Sequence, residues 1–451
     1  MPAIDKDTEQ VRKLKIYEIW VHTAERHSGP ATENEPDMHA ITKILARHAG
    51  RKSADIGELL NVVPDYVMLT DRGAARAAAI LAEMGGDRVH DPDRVVVVFD
   101  HHFPAIRVRD AESQRATRAW IEEQGITRFH PGEGIGHVIF PEKGYAFPGA
   151  LIFGTDSHTV TNGALGCFST GLGHTDVGSF LAIGYNWLRV PEAIRFDLHG
   201  RLRPGVTAKD IVLHILQQHG EDGANYCTVE FAGPAIAGLC MDERLVLCNM
   251  VVDFGAKAGY IQPDEVTARY LEGRVDRALW QVETTDSDAD YTGIIDIDLS
   301  RIEPLVAVPH NLSVVRPAAD LGAVRINEAV LGTCTGGRIE DFRIAGSILK
   351  GRSLAPGVRM MVNPGSRAVM HQAIAEGWID ILMAAGASIG VTGCGPCSGC
   401  HQGMLGSGEA AITTSSRNFQ GRMGSPEAGI YIASPATVAA SAVAGRIVSP
   451  I

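Results

Sequence analysis

Ala387-Ser388-Ile389-Gly390-Val391-Thr392-Gly393-Cys394-Gly395-Pro396-Cys397 runs from an apolar, strand-sized segment straight into a glycine-rich turn that carries two thiols. The same order recurs at Glu328-Ala329-Val330-Leu331, which is followed by Gly332-Thr333-Cys334-Thr335-Gly336-Gly337-Arg338. Four further apolar runs end in the same manner: Arg94 to Phe99, Ala150 to Phe153, Arg359 to Val362 and Ile430 to Ala433. They lead into Asp100-His101-His102, Gly154-Thr155-Asp156-Ser157-His158, Asn363-Pro364-Gly365-Ser366 and Ser434-Pro435. Short apolar runs bounded by turn residues read as buried strands. Helical patterns at His39 to Ala49 and Gly73 to Met84 flank a strand at Asp65 to Thr70. Strand and helix in alternation predict parallel α/β layers. In open parallel sheets ligands bind beyond the carboxyl ends of the strands, so motifs far apart in the chain converge on one cleft.

The chain has 451 residues and 45% hydrophobic content, with a mean hydropathy of +0.02, which suits two or three packed units. The reading divides it into an irregular N-terminal extension over 1–38, an α/β domain over 39–190, a second over 191–308, and a third over 309–451 that carries the thiols. The middle segment lacks the strand-end signatures except at Asn249 to Gly255. Segments 40–190 and 309–451 read as two similar α/β halves. The longest apolar run, Val95 to Phe99, is far short of a membrane span, and the first twenty residues have no signal-peptide core. A cytoplasmic location and no membrane partner are expected. With 53 acidic against 41 basic side chains the formal charge is −12, which argues against a nucleic-acid surface.

Eight cysteines without a disulfide rhythm indicate a reduced chain. Cys227, Cys240 and Cys248 lie in or beside apolar segments and read as buried thiols. Cys394 and Cys397 alone admit three chemistries. Cys-Gly-Pro-Cys is a redox-dithiol sequence; a zinc site would need Cys400 or His401 as its fourth ligand; an iron–sulfur cluster becomes possible once Cys334 joins the pair. Three thiolates leave one iron of a four-iron cluster without a protein ligand, and such an iron is a Lewis acid.

Four stretches carry a family resemblance: Gly154-Thr155-Asp156-Ser157-His158-Thr159, Gly332-Thr333-Cys334-Thr335, Gly393-Cys394-Gly395-Pro396-Cys397 and Ser416-Arg417-Asn418-Phe419-Gln420-Gly421-Arg422. Together, and in this order, they resemble the aconitase superfamily from about residue 39 onward, with the isopropylmalate dehydratase large subunits and homoaconitase-type hydro-lyases most alike. The resemblance implies three-layer α/β/α domains with mostly parallel sheets, and a [4Fe-4S] cluster on Cys334, Cys394 and Cys397. Cys400 falls where the family has no ligand. It also implies a hydro-lyase that dehydrates and rehydrates a hydroxy di- or tricarboxylate, such as 3-isopropylmalate, homocitrate or a methylmalate.

Such a reaction needs a metal to polarise the C–O bond, an acid for the departing oxygen and a base for the carbon-bound proton. By motif Asp100, His101, Asp156, Ser157 and His158 supply the acid side, since a carboxylate-oriented histidine is a tunable proton donor. His137 matches a further active-site histidine. Arg417 and Arg422 match substrate-carboxylate clamps, a role suited to the guanidinium fork, and Asn249 and Asp253 complete the set. Two positions depart from the pattern: the family commonly has glutamate at Asp253, and the aconitases proper have asparagine at Ser416. The aconitases proper continue into a swivelling fourth domain that bears a serine base and a further substrate arginine; this sequence has no matching motif and is expected to lack that domain, and Ser434 does not substitute by position. The expectation is a large subunit that works with a small subunit as a heterodimer or larger assembly. Two other classes compete: a cluster-bearing regulatory or RNA-binding relative, and a dithiol oxidoreductase using Cys394 and Cys397.

Overall fold

The computed structural model describes residues 37–399 and 401–450; all but the last two residues of the extension read over 1–38, and Cys400, lie outside them. The first region contains β1 (Leu59–Val62), β2 (Tyr66–Thr70), β3 (Val95–Phe99), β4 (Arg128–Pro131), β5 (Leu151–Gly154), β6 (Phe168–Gly171) and β7 (Asn186–Arg189). Five of these form a sheet in the order β4-β3-β2-β5-β6, parallel throughout. β1 and β7 form a separate antiparallel ribbon. The next four strands, β8 (Ala193–His199), β9 (Thr228–Ala232), β10 (Ala258–Ile261) and β11 (Gly293–Asp298), make a parallel sheet in the order β10-β9-β8-β11.

The remainder supplies β12 (Leu305–Ala307), β13 (Val315–Pro317), β14 (Glu328–Leu331), β15 (Arg359–Val362), β16 (Ser388–Ile389), β17 (Ala410–Thr413) and β18 (Gly429–Ala433). Their order is β13-β12-β18-β17-β14-β15-β16. The run from β18 to β16 is parallel, while β12 lies antiparallel to both β13 and β18. The chain is thus of the α/β class with mostly parallel sheets. All five residues of β3, Val95 to Phe99, are buried, as a continuous apolar strand in the middle of a parallel sheet requires.

Several expectations shift. The run Ala387 to Val391 yields only two strand residues, and these are followed by Gly390, where a Cβ would lie 2.4 Å from the Asn363 amide. β4 and β6 are not announced by apolar runs: Arg128-Phe129-His130-Pro131 and Phe168-Ser169-Thr170-Gly171 are sheet-edge strands with polar members. Cys240 is exposed at the N-cap of the helix Met241–Asn249, not buried, whereas Cys227 and Cys248 are buried. Met38 belongs to the folded body: its N–H donates to Asp286 Oδ2 at 3.0 Å, and the next residue, His39, bonds the Asp290 carbonyl at 2.8 Å.

What positions the site is a seam of main-chain bonds between the carboxyl ends of the first and third sheets. Ile135 N donates to Gly365 O at 2.8 Å, Arg367 N to Glu133 O at 2.7 Å, and Cys394 N to Asp100 O at 3.2 Å. Gly134 sits in this seam at φ +158°, and a Cβ there would lie 2.5 Å from the Gly365 carbonyl. Gly393 repeats the arrangement, with φ +149° and the Asp100 carbonyl 2.9 Å from its virtual Cβ. A side chain at either glycine would force the two sheet ends apart.

Candidate active site

β3 delivers Asp100 and His101 into the cleft. The buried Asp100 carboxylate accepts from Gly136 N through Oδ2 at 2.8 Å and pairs through Oδ1 with His101 Nδ1 at 2.7 Å. β5 delivers Asp156, which caps the short 3₁₀ segment Ser157–Leu165 by accepting from His158 N. Asp156 is a hub. Its Oδ1 lies 2.9 Å from His137 Nε2 and 3.6 Å from His158 Nδ1, and its Oδ2 lies 3.6 Å from His101 Nε2. Burial alone would raise the Asp156 carboxyl, but the charge of His137 and bonds from His101, His137 and His158 hold it well below the usual range. Burial would likewise lower His101. The charge and hydrogen bond of Asp100, aided by Asp156, outweigh it and hold the imidazole well above its ordinary value.

The second region contributes Asn249, at the end of its helix, and Asp253, in the 3₁₀ segment Met250–Phe254. Asp253 accepts from Arg417 Nε through Oδ1 at 2.7 Å and faces His158 Nε2 through Oδ2 at 3.4 Å. Arg417 also donates to Ser157 Oγ at 3.0 Å. Ser157, Arg417, Asp253, His158 and Asp156 therefore form one continuous chain of contacts drawn from three regions. Asn249 donates to Thr161 Oγ1 at 2.7 Å, and its Oδ1 is 3.7 Å from Cys334 Sγ.

The thiols complete the cleft from the third sheet. Beyond β14, Thr333 adopts φ +72°, a left-handed conformation uncommon for a β-branched residue. Gly336 is required there, because a Cβ would fall 2.1 Å from Thr414 Oγ1. Cys397 lies in the short 3₁₀ turn Gly395–Ser398, and its Sγ is 3.8 Å from Arg422 Nη2. Burial, then the charge of Cys397, pushes the Cys334 thiol up to about 12. Cys394 is driven well above its ordinary value by burial, then by Asp100 and the other two thiols.

These three thiols fit a cluster better than a single ion. All are free, and they act on one another electrostatically. Yet among the described residues the only group of three His, Cys, Asp or Glu donor atoms lying within 4.8 Å of one another is Asp100, His101 and Cys394. The three sulfurs are thus spread too widely to chelate one ion, as a multi-iron group requires. His401 joins no such group, which leaves the zinc reading without its fourth ligand among the described residues.

All thirteen residues singled out in the sequence reach this cleft, and the structure adds residues that the sequence did not flag. Asp71 follows β2 and accepts from His102 N at 2.7 Å; burial and then the charge of Asp100 raise its carboxyl. Arg338 is buried and donates to the His137 carbonyl at 3.0 Å. Lys209 is buried beneath the Cys334 and Arg417 loops. The signal available for Asp71 was its place after a strand, immediately behind the helix cap Thr70. Arg338 closes the glycine-rich stretch that follows Leu331; for Lys209 there was no signal.

The sequence matches the aconitase family (aconitate hydratase) over residues 42–323 and 312–445. It is 44% identical to a probable 3-isopropylmalate dehydratase large subunit of Methanothermobacter thermautotrophicus over 92% of this chain and 99% of that protein. It is 45% identical to the 3-isopropylmalate dehydratase large subunits of Aquifex aeolicus and Heliobacterium modesticaldum, each over 92% of this chain and 97% and 99% of theirs. A solved structure, aconitase X of Thermococcus kodakaraensis, superposes with a TM-score of 0.48 at 12% identity over 79% of this chain and 84% of that one. With the family match spanning most of its length and the motif loops meeting in one cleft, the chain belongs to the aconitase family.

Proposed function

We propose that this chain is the cluster-bearing large subunit of a hydro-lyase of the 3-isopropylmalate dehydratase type. The observation that carries the reading is the meeting of three free thiols with the Asp100–His101 pair in a single cleft. Cys334, Cys394 and Cys397 would hold a [4Fe-4S] cluster, which when bound supplies a Lewis-acidic iron to a substrate hydroxyl.

The chain's own groups divide the remaining work. Asp100 keeps His101 protonated, so its imidazolium is the general acid for the departing oxygen. Asp156 fixes the orientation of His101, His137 and His158. Arg417 is oriented by Asp253 and Ser157, and its Nη1, without a protein hydrogen bond among the described residues, is directed to a substrate carboxylate. Arg422 serves a second carboxylate. Its Nε is buried without a partner among the described residues, which a substrate oxygen would satisfy. Asp253 is one methylene shorter than the family's usual glutamate, and its ion pair with Arg417 favours a positioning role for it.

The substrate proposed is a branched hydroxy-dicarboxylate, 3-isopropylmalate, on the strength of the relatives' names; homocitrate and methylmalates are the competing substrates. The base would come from a small subunit that closes the cleft. The dithiol alternative is weaker, because catalytic dithiols need a lowered thiol, and Cys394 is held high by burial and by Asp100. The test is anaerobic reconstitution with iron and sulfide, followed by assay of substrate panels with and without a small subunit. Cluster uptake with activity only in the pair is the expected result. A chain that takes up no iron or labile sulfide would overturn the reading.

A further inference from the structure

Lys209 is the least expected charge in the molecule. It is the second residue of the helix Ala208–His219 and is 1% exposed. Its ammonium donates to Thr335 Oγ1 at 2.8 Å, Thr414 O at 2.7 Å and Ser415 O at 3.1 Å. All three acceptors are neutral, and among the described residues no carboxylate pairs with it within 4.0 Å. A buried cation near a helix N-terminus is opposed twice, by desolvation and by the positive end of the helix dipole.

The ionisable acids that act on it electrostatically are Asp341, Cys334, Asp253 and Cys397. Asp253 is already committed to Arg417, and burial favours the neutral form of Asp341. The remaining groups are two of the three thiols. Thr335 directly follows Cys334, and Ser415 lies two residues before Arg417, so one ammonium bridges the thiol loop and the arginine loop.

We propose that Lys209 is a positioning residue whose positive charge balances the sulfur-ligated centre and locks the Cys334 loop against the Arg417 loop. This rests on the cluster assignment above. A purely structural strut would depend on the hydrogen bonds, whereas a countercharge depends on the sign of the side chain, and substitutions separate the two. Without a cluster the buried ammonium is a burden, so a neutral side chain of similar length leaves the cluster-free chain no less stable. With the cluster bound, the same change weakens its retention, since partners behind metal ligands are typically worth about 10–100-fold in metal affinity.

The experiment compares the full-length chain with Lys209→Met, Lys209→Gln and Lys209→Arg. Each is reconstituted anaerobically, and three quantities are read: iron and labile sulfide per chain, the rate of chelator-driven iron release, and the melting temperature before reconstitution. Expected are release rates about tenfold or more above the parent for Met and Gln, a near-parental rate for Arg, and cluster-free melting temperatures at or above the parent for Met and Gln. Equal release rates in all four proteins would overturn the inference. So would Met and Gln variants that melt lower or fail to fold without the cluster, which would mark Lys209 as a strut. A parent chain that binds no iron or sulfide would instead remove the cluster assignment itself.

Discussion

The Asp/His groups at the ends of β3 and β5 are held in their charged forms by partners inside this chain, whereas the acids of the thiol corner beyond β14 and β16 are pushed towards their neutral forms. Asp156 is surrounded by three imidazoles and stays ionised, and Asp100 holds His101 in its charged form. In the thiol corner the tendencies reverse. Cys334 and Cys394 resist ionisation, Asp341 is driven towards its neutral form, and Lys209 is a cation bound, among the described residues, only to neutral oxygens. The first region sets its own protonation states; the second combines acids pushed towards their neutral forms with a buried cation held by neutral oxygens.

The largest expected effect removes a sulfur donor. Cys394→Ser should abolish iron and sulfide uptake, and activity with it, while leaving the cluster-free unfolding transition near that of the parent. Metal analysis alongside thermal melting checks both halves, and normal cluster content in the variant would break the contrast. Next comes Asp156→Asn, which disturbs the hub of the paired region. Turnover should fall roughly 10²–10⁴-fold, the range for a positioned acid or base, with iron content unchanged. If iron were lost as well, the two regions would be one unit.

A third prediction concerns pH. Asp341 is buried and its carboxyl is pushed up to about 7 from an ordinary 3.8, first of all by burial. Its folded-state value is therefore the higher one, so its contribution to stability is complete below about pH 4 and is lost as the pH rises through about 7. Asp341→Asn, which keeps an acceptor for Arg338 N, should be neutral at pH 4. At pH 8 it should stabilise the cluster-free chain by up to roughly 4 kcal/mol, at about 1.36 kcal/mol per pKa unit. Urea unfolding at the two pH values measures this, and an equal effect at both would sink it. The smallest effect is Thr70→Ala, which removes the oxygen accepting from Gly73 N at 3.1 Å at the head of the helix Asp71–Glu83. It should cost about 1 kcal/mol by urea unfolding, with cluster content untouched.

The paired region was the more legible of the two. Asp100-His101 and Asp156-Ser157-His158 stand immediately after apolar runs, so a period-and-boundary reading places them at strand ends, where a parallel sheet gathers ligand groups. The cysteines were legible in the same way. Lys209 was not, because Thr207-Ala208-Lys209-Asp210 reads as an ordinary helix start with a solvated lysine. Its burial depends on loops 126, 205 and 206 residues away along the chain. β6 escaped for a different reason: Ser169 and Thr170 are buried but polar, satisfied by Asn162, the Thr159 carbonyl and the Lys257 carbonyl. No local pattern encodes partners so distant. Cys240 failed in the opposite direction, since apolar neighbours at Leu239 and Met241 do not fix where an N-cap side chain points.

The seam between the first and third sheets has a bearing on exchange between relatives. It is built from amide and carbonyl groups of Glu133, Ile135, Gly365, Arg367, Asp100 and Cys394, which every residue except proline can offer. A hybrid gene taking its first half from one homologue and its last third from another would preserve this junction as long as glycine stood at 134 and 393. Recombination inside the family could therefore shuffle pocket walls while the reacting groups stayed in register.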